Sequence, residues 1–301
     1  MSNKNPWIIA VTLAGVVLLF AAVPADAWQK IPDIPKLTVD GVYGPFMPPD
    51  ISQDGHHVDQ LIDVVHWFMG VLFVGWGIFF VYCLVRFRQR SGHSASCDLP
   101  KAKPAKISEI LVVIFEAVLL LGFSIPIWAQ ARDQPPEDEN TLTIRVVAEQ
   151  FQWNFHYPGE DGIFGPTSPD AIDYSENNAV GVVRDSEYGA DDIVTGEMHI
   201  PNDRPIICEI SSKDVIHSFS INVMRVKQDA IPGMRIPVWF RVKIPEDGSD
   251  ATTGRYEVAC AQLCGSNHYS MKAYMVVETP EDYAAWLVEK SAPPEEFDED
   301  E

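Results

Sequence analysis

Two apolar runs, residues 61–85 and 107–129, constrain this chain more than any other feature. Each exceeds the roughly 20 residues a helix needs to cross ~30 Å of hydrocarbon, so each is expected to span a membrane. Trp67 and Trp128 sit near the outer ends of the runs, where amphipathic rings favour the headgroup region. The connection, residues 86–106, carries Arg86, Arg88, Arg90, Lys101, Lys103 and Lys106 against Asp98 alone. That excess assigns the connection to the cytoplasm and places residues 28–60, and everything after the second run, outside. A third run, residues 7–23, has Lys4 ahead of it and the small-residue end "PADAW" behind it. It reads as a signal peptide spanning residues 1–27, cleaved after Ala27, with an uncleaved membrane helix as the alternative. The two cues agree on an outside N-terminus, with both spans in a bacterial inner membrane.

The exported part has a different texture. From Asn140 onward, short segments rich in β-branched and aromatic residues alternate with turn residues, among them "TLTIRVVAEQFQWNFHY", "PIICEISS", "HSFSINVMRV" and "GRYEVAC". Strands at this spacing predict a β-sandwich or barrel over residues 140–290. "TPEDYAAWLVEK" should close the domain as a helix, capped by Thr279 with Pro280 in its first turn. The formal net charge is −21 even though the connecting loop is basic, so the exported part is strongly acidic. Such a surface repels nucleic acid and attracts basic partners. The acidic end, residues 291–301, reads as a solvated disordered tail. Residues 158–196 carry nine carboxylates against Arg184 alone and read as a long loop without regular structure. A docking surface and a merely solvated loop are both open for that segment.

The chemistry concentrates in residues 260–271, "CAQLCGSNHYSM". Cys83 falls in the first apolar run, Cys97 in the cytoplasmic loop, and Cys208 in a strand pattern that suits a buried thiol. Cys260 and Cys264 are the one close pair on the oxidising side. A disulfide between them would close a very small loop and leave His268 and Met271 unexplained. Zinc does not usually take a thioether, whereas methionine points to copper. Two thiolates can bridge two copper ions, each capped by an imidazole. A second histidine from another strand is then needed, and His217 in "KDVIHSFSINVMRVKQDAIPGM" offers one.

Together, "DVIHSFS…VKQDAIPGM" and "CAQLCGSNHYSM" resemble the binuclear-copper signature of cytochrome c oxidase subunit II. The hairpin with its basic loop and the aromatic run "EQFQWNFHY" are also similar to that family. The resemblance implies a membrane α-helical hairpin followed by an all-β cupredoxin-like domain, a Greek-key sandwich or barrel. It implies a binuclear copper centre of two ions held by His217, Cys260, Cys264, His268, Met271 and the main-chain carbonyl of Gln262. It further implies electron transfer from cytochrome c to haem in subunit I, where oxygen is reduced and protons are pumped. Subunit III is an expected neighbour.

Three positions need separate treatment. Gln262 stands where many family members have glutamate, so magnesium or manganese at the border with subunit I is expected to be weaker or absent. Phe151 stands where many members have the tryptophan at which electrons enter, and Trp153 matches the next aromatic. Either ring could carry electrons or simply fill the core. Glu109 matches a carboxylate at the mouth of a proton-uptake path, while Glu116 has no family counterpart. The chain has no C-x-x-C-H, so it should carry no covalent haem. The alternative from another class is a membrane-anchored cupredoxin acting as a copper carrier or sensor. Quinol oxidases lack the copper ligands, and nitrous oxide reductase lacks the hairpin.

Overall fold

In lipid a spanning backbone must satisfy its own polar groups, and the apolar runs do so as helices. The computed structural model describes residues 48–92, 103–132, 135–136, 138–243 and 252–291. The expected signal peptide, residues 28–47 of the exported segment, residues 93–102 of the cytoplasmic loop and the acidic tail from residue 292 lie outside them. The chain divides into two units, the hairpin and the β-domain with its lead-in segment.

Helix α1 spans Gly55–Arg86, six residues further toward the N-terminus than the apolar run, because "HHVDQ" after the first residue contains neither glycine nor proline. Ser52 Oγ accepts from the backbone N–H of Asp54 and of Gly55, ending the helix at that point. Helix α2, Lys103–Leu119, passes through a π turn at Leu120–Ser124 into α3, Ile125–Arg132. Pro126 explains the turn: it has no N–H to donate and its ring crowds the carbonyl four residues back. The Ile125 N–H reaches instead to the Leu120 carbonyl. Helices α1 and α2 meet where the rings of Phe68 and Phe115 lie 4.1 Å apart. Both spans are long and apolar enough to cross a membrane. Glu109 and Glu116 are exposed on α2.

Among the described residues the β-domain has ten strands: β1 Leu142–Glu149, β2 Gln152–Tyr157, β3 Ile193–Thr195, β4 Met198–Pro201, β5 Ile206–Ser212, β6 His217–Ile221, β7 Val226–Ala230, β8 Ile236–Phe240, β9 Gly254–Cys260 and β10 Lys272–Glu278. They form two five-stranded sheets, β3-β2-β1-β5-β8 and β4-β10-β9-β6-β7. The pairs β1/β5 and β4/β10 are parallel, and the rest are antiparallel. Alternation on β1 and β5 sends Ile144, Val146, Ala148, Ile206, Cys208 and Ile210 into the core. Burial raises the Cys208 thiol far above its usual range, so it stays protonated and inert. Helix α4, Pro280–Ser291, packs Tyr283 and Trp286 onto the domain. Thr279 Oγ1 accepts from the Asp282 N–H, as its sequence predicts.

The residues leading into α1 belong to this same unit. Ile51 is buried in the core, its N–H donates to the Val223 carbonyl, and its carbonyl accepts from Lys243 N–H. The chain therefore leaves one folded unit, makes the hairpin and returns to it.

Residues 158–196 are not a loop without structure. A 3₁₀ turn at Pro169–Ala171, bridges between Thr167 and Val182 and between Asp173 and Asn178, and strand β3 all lie within them. Val182, Ile193 and Asp192 are buried. The segment is a folded lobe over the outer face of the first sheet, and its composition concealed that order.

Candidate metal centre

Adjacent strands bring the cluster together. His217 opens β6 and Cys260 closes β9, and the register that pairs Phe219 with Cys260 sets them side by side. The loop returns through a 3₁₀ turn, His268–Ser270, so that Met271 lies beside Cys260, its carbonyl accepting the Cys260 N–H at 3.1 Å. The sulfurs of Cys260 and Cys264 are 3.8 Å apart, and Cys264 Sγ lies 3.6 Å from His268 Nδ1 and 3.7 Å from Met271 Sδ. His217 Nδ1 lies 3.1 Å from Met271 Sδ and 3.9 Å from Cys260 Sγ, and the Gln262 carbonyl is 3.2 Å from Cys260 Sγ. Every one of the six expected donors is within this knot. His217, Cys260, Cys264 and Met271 are buried, and His268 is partly covered.

The donor set fits copper. Two sulfurs 3.8 Å apart are well beyond disulfide bonding, yet both can lie about 2.3 Å from one ion. The thioether and imidazoles complete a soft, nitrogen-and-sulfur environment. Burial, helped by neighbouring Cys260, pushes the Cys264 thiol up to about 11. Metal uptake at neutral pH must therefore release the Cys264 proton.

Two residues outside the sequence-derived set hold the ligands in place. Asp214 Oδ1 lies 2.9 Å from His217 Nε2, and Oδ2 accepts from Gln150 N–H at 2.7 Å. The carboxylate keeps the proton on Nε2 and leaves Nδ1 free for a metal. Burial alone would raise Asp214, but hydrogen bonds from His217, Gln150 and Val215 outweigh it and hold the carboxyl below its usual range. Gln150 Nε2 in turn donates to the Cys264 carbonyl at 2.5 Å. Gly265 must be glycine here: its φ is +144°, and a Cβ would lie 2.7 Å from Gln150 Nε2 and 3.0 Å from the Phe151 ring. The aspartate three residues before His217 was the available sequence signal. Nothing local announced Gln150.

The aromatic candidates separate in space. Trp153 is 1% exposed, with its ring 6.2 Å from that of His217 and 5.4 Å from that of Phe219. Phe151 is only partly buried and packs beside the metal loop at Gly265. Gln262, Leu263 and Tyr269 are exposed around the cysteines, the latter two at 78% and 86%.

The model of the cytochrome c oxidase subunit II periplasmic domain matches residues 142–279. The chain is 30% identical to the alternative cytochrome c oxidase subunit 2 of Bradyrhizobium diazoefficiens, over 82% of this chain and 84% of that one. It belongs to the cytochrome c oxidase subunit II family. Cytochrome c oxidase subunit 2 of Cereibacter sphaeroides is 26% identical over 91% of this chain and 88% of its own. Among solved structures, the periplasmic domain of subunit II of cytochrome oxidase from Bradyrhizobium japonicum is 27% identical. The match covers 52% of this chain and 96% of that one, with a TM-score of 0.36. The chain thus joins two helices apolar enough to cross a membrane to a subunit II periplasmic domain, and membership of the family implies copper in that domain.

Proposed function

We propose that this chain is the electron-accepting subunit of a respiratory cytochrome c oxidase, with its β-domain on the periplasmic side. The observation that carries the proposal is the convergence of two cysteine sulfurs, two imidazoles, a thioether and one carbonyl in a single knot, four of its six residues buried. Two copper ions bound there would take an electron from cytochrome c and pass it to haem in subunit I, where oxygen is reduced. The protein's part is to hold the ligands rigid and keep water away. Asp214 and Gln150 fix two of them from behind, and the sheets bury four. Leu263 and Tyr269, apolar and exposed beside the ligands, suit contact with subunit I. Phe151 is the ring of the aromatic pair that an external donor could reach, and Trp153 serves as core packing behind His217. Glu109, exposed on α2, is proposed at the mouth of the proton path. Gln262 brings no carboxylate to a second metal.

Docking is proposed on the folded acidic lobe. Asp192 cannot serve: it is buried against His156 at 2.6 Å. Asp191 accepts the backbone N–H of Glu160 and Asp161 and holds a turn. Glu176, Asp185 and Glu187 are exposed. The combined Glu176→Gln, Asp185→Asn, Glu187→Gln variant should slow reduction by a basic cytochrome c several-fold at low salt. It should converge with wild type toward 1 M salt, where the Debye length falls to ~3 Å. Stopped-flow reduction across a salt series measures this, and an unchanged salt slope would move docking off the lobe. Haem content of the purified complex separates the oxidase from a copper carrier, which would bring down no haem-bearing subunit.

A further inference from the structure

The acidic lobe does not lie flat on the first sheet. A cavity of about 270 Å³ remains between them. Its floor is the outer face of β1 and β5, including Arg145, Val147, Glu209 and Ser211. Its roof is the lobe, through Thr167, Pro169, Ile172 and Val180. His156, whose side chain is 1% exposed, lines it, as do Lys213 and Arg235.

The guanidinium groups of this cavity are short of acceptors. Lys213 Nζ is paired with Glu149 at 2.5 Å and also donates to Tyr174 and to the Ala179 carbonyl. His156 is paired with Asp192. That leaves Glu209 to serve two guanidinium groups: its Oε2 lies 3.3 Å from Arg145 Nε and 3.5 Å from Arg235 Nη1. Among the described residues neither arginine has another carboxylate within 4 Å, and the Arg145 Nη groups donate to nothing. Arg145 is held rigid, its guanidinium stacked 3.9 Å from the centre of the Phe164 ring. Burial and then the charge of Arg235 lower the Arg145 pKa, outweighing the opposite pull of Glu209 and of Asp192. The two guanidinium groups therefore keep N–H donors without an acceptor in a partly enclosed site.

We propose that this cavity binds a small organic carboxylate, its charged end between Arg145 and Arg235 and its apolar body against Val147, Ile172 and Val180. Planar guanidinium groups suit a carboxylate, which can accept two parallel N–H bonds. The volume argues for a body beyond the charged group: at about 30 Å³ per water it would hold roughly nine waters. Inorganic phosphate would leave much of that space and the apolar wall unused. An occupant would touch both sheet and lobe and so clamp the lobe in place.

The test uses the full chain in detergent, in a low-salt buffer free of carboxylates and phosphate. Calorimetric titration with 4-methylpentanoate should give saturable one-to-one binding and raise the thermal midpoint of the domain. Arg235→Gln, at an arginine more than half exposed, should keep the fold and weaken binding roughly tenfold or more. Ile172→Asp, which puts a negative charge on the apolar wall, should abolish it. No saturable binding below about 10 mM, on the weak side of the millimolar range, would overturn the proposal. So would an undiminished affinity in Arg235→Gln, or inorganic phosphate binding as tightly as the carboxylate. No copper is needed for this binding, so its outcome is separate from that of the electron-transfer reading.

Discussion

Replacing Cys264 with serine should reduce bound copper from two ions per chain to one or none and abolish the thiolate-to-copper colour. Cys264 is the hub of the knot, with Cys260 Sγ, His268 Nδ1 and Met271 Sδ all within 3.8 Å of its sulfur. A serine oxygen is harder, bonds at shorter reach and is a poor ligand for copper. One bridge is then lost and the remaining donors cannot hold the pair. The fold should survive, because the bond from Gln150 Nε2 goes to the main-chain carbonyl of residue 264 and not to the thiol. Metal analysis, visible absorption and far-ultraviolet circular dichroism on one preparation would separate the two effects. Two bound coppers with an unchanged spectrum in Cys264→Ser would remove this residue from the bridging role.

Trp153→Ala should be the most destabilising single substitution in the β-domain. The indole is buried between Phe219 and His217 and belongs to the main core. Truncating such a ring costs about 3–5 kcal/mol, because the surroundings collapse only in part. For a domain of this size that lowers the thermal midpoint by roughly 6–20 °C. Its Nε1–H has no hydrogen-bond partner, so the loss is one of packing and should fall toward the lower end. Trp153→Phe should recover most of it. Thermal unfolding of the metal-free chain checks this without involving electron transfer. A midpoint within about 2 °C of wild type would show that the ring is not core, and would return it as a candidate point of electron entry.

Much of this was legible in the sequence, for identifiable reasons. The spans were legible because hydrocarbon imposes a minimum apolar length that no other environment demands. The cluster of candidate donors was legible because residues 260–271 gather soft side chains in one short stretch, and "DVIH" supplies a histidine at a strand start. Illegible features depend on contacts between distant segments. Gln150 reaches Cys264 across 114 positions of sequence, and no periodicity encodes that contact. Asp192 looked like one of nine surface carboxylates, yet it is buried on His156 because the lobe folds back over β2. The cavity with Arg145 and Arg235 exists for the same reason: a polar strand face reads as solvent-facing until something covers it.

The central claim is that the six-donor knot holds a binuclear copper centre. Electron paramagnetic resonance of the copper-loaded full chain, with copper and protein quantified on the same sample, tests it most directly. The account predicts two coppers per chain and a seven-line hyperfine pattern, the signature of one electron shared between both metals. A four-line, single-copper spectrum from fully loaded wild-type protein would contradict it.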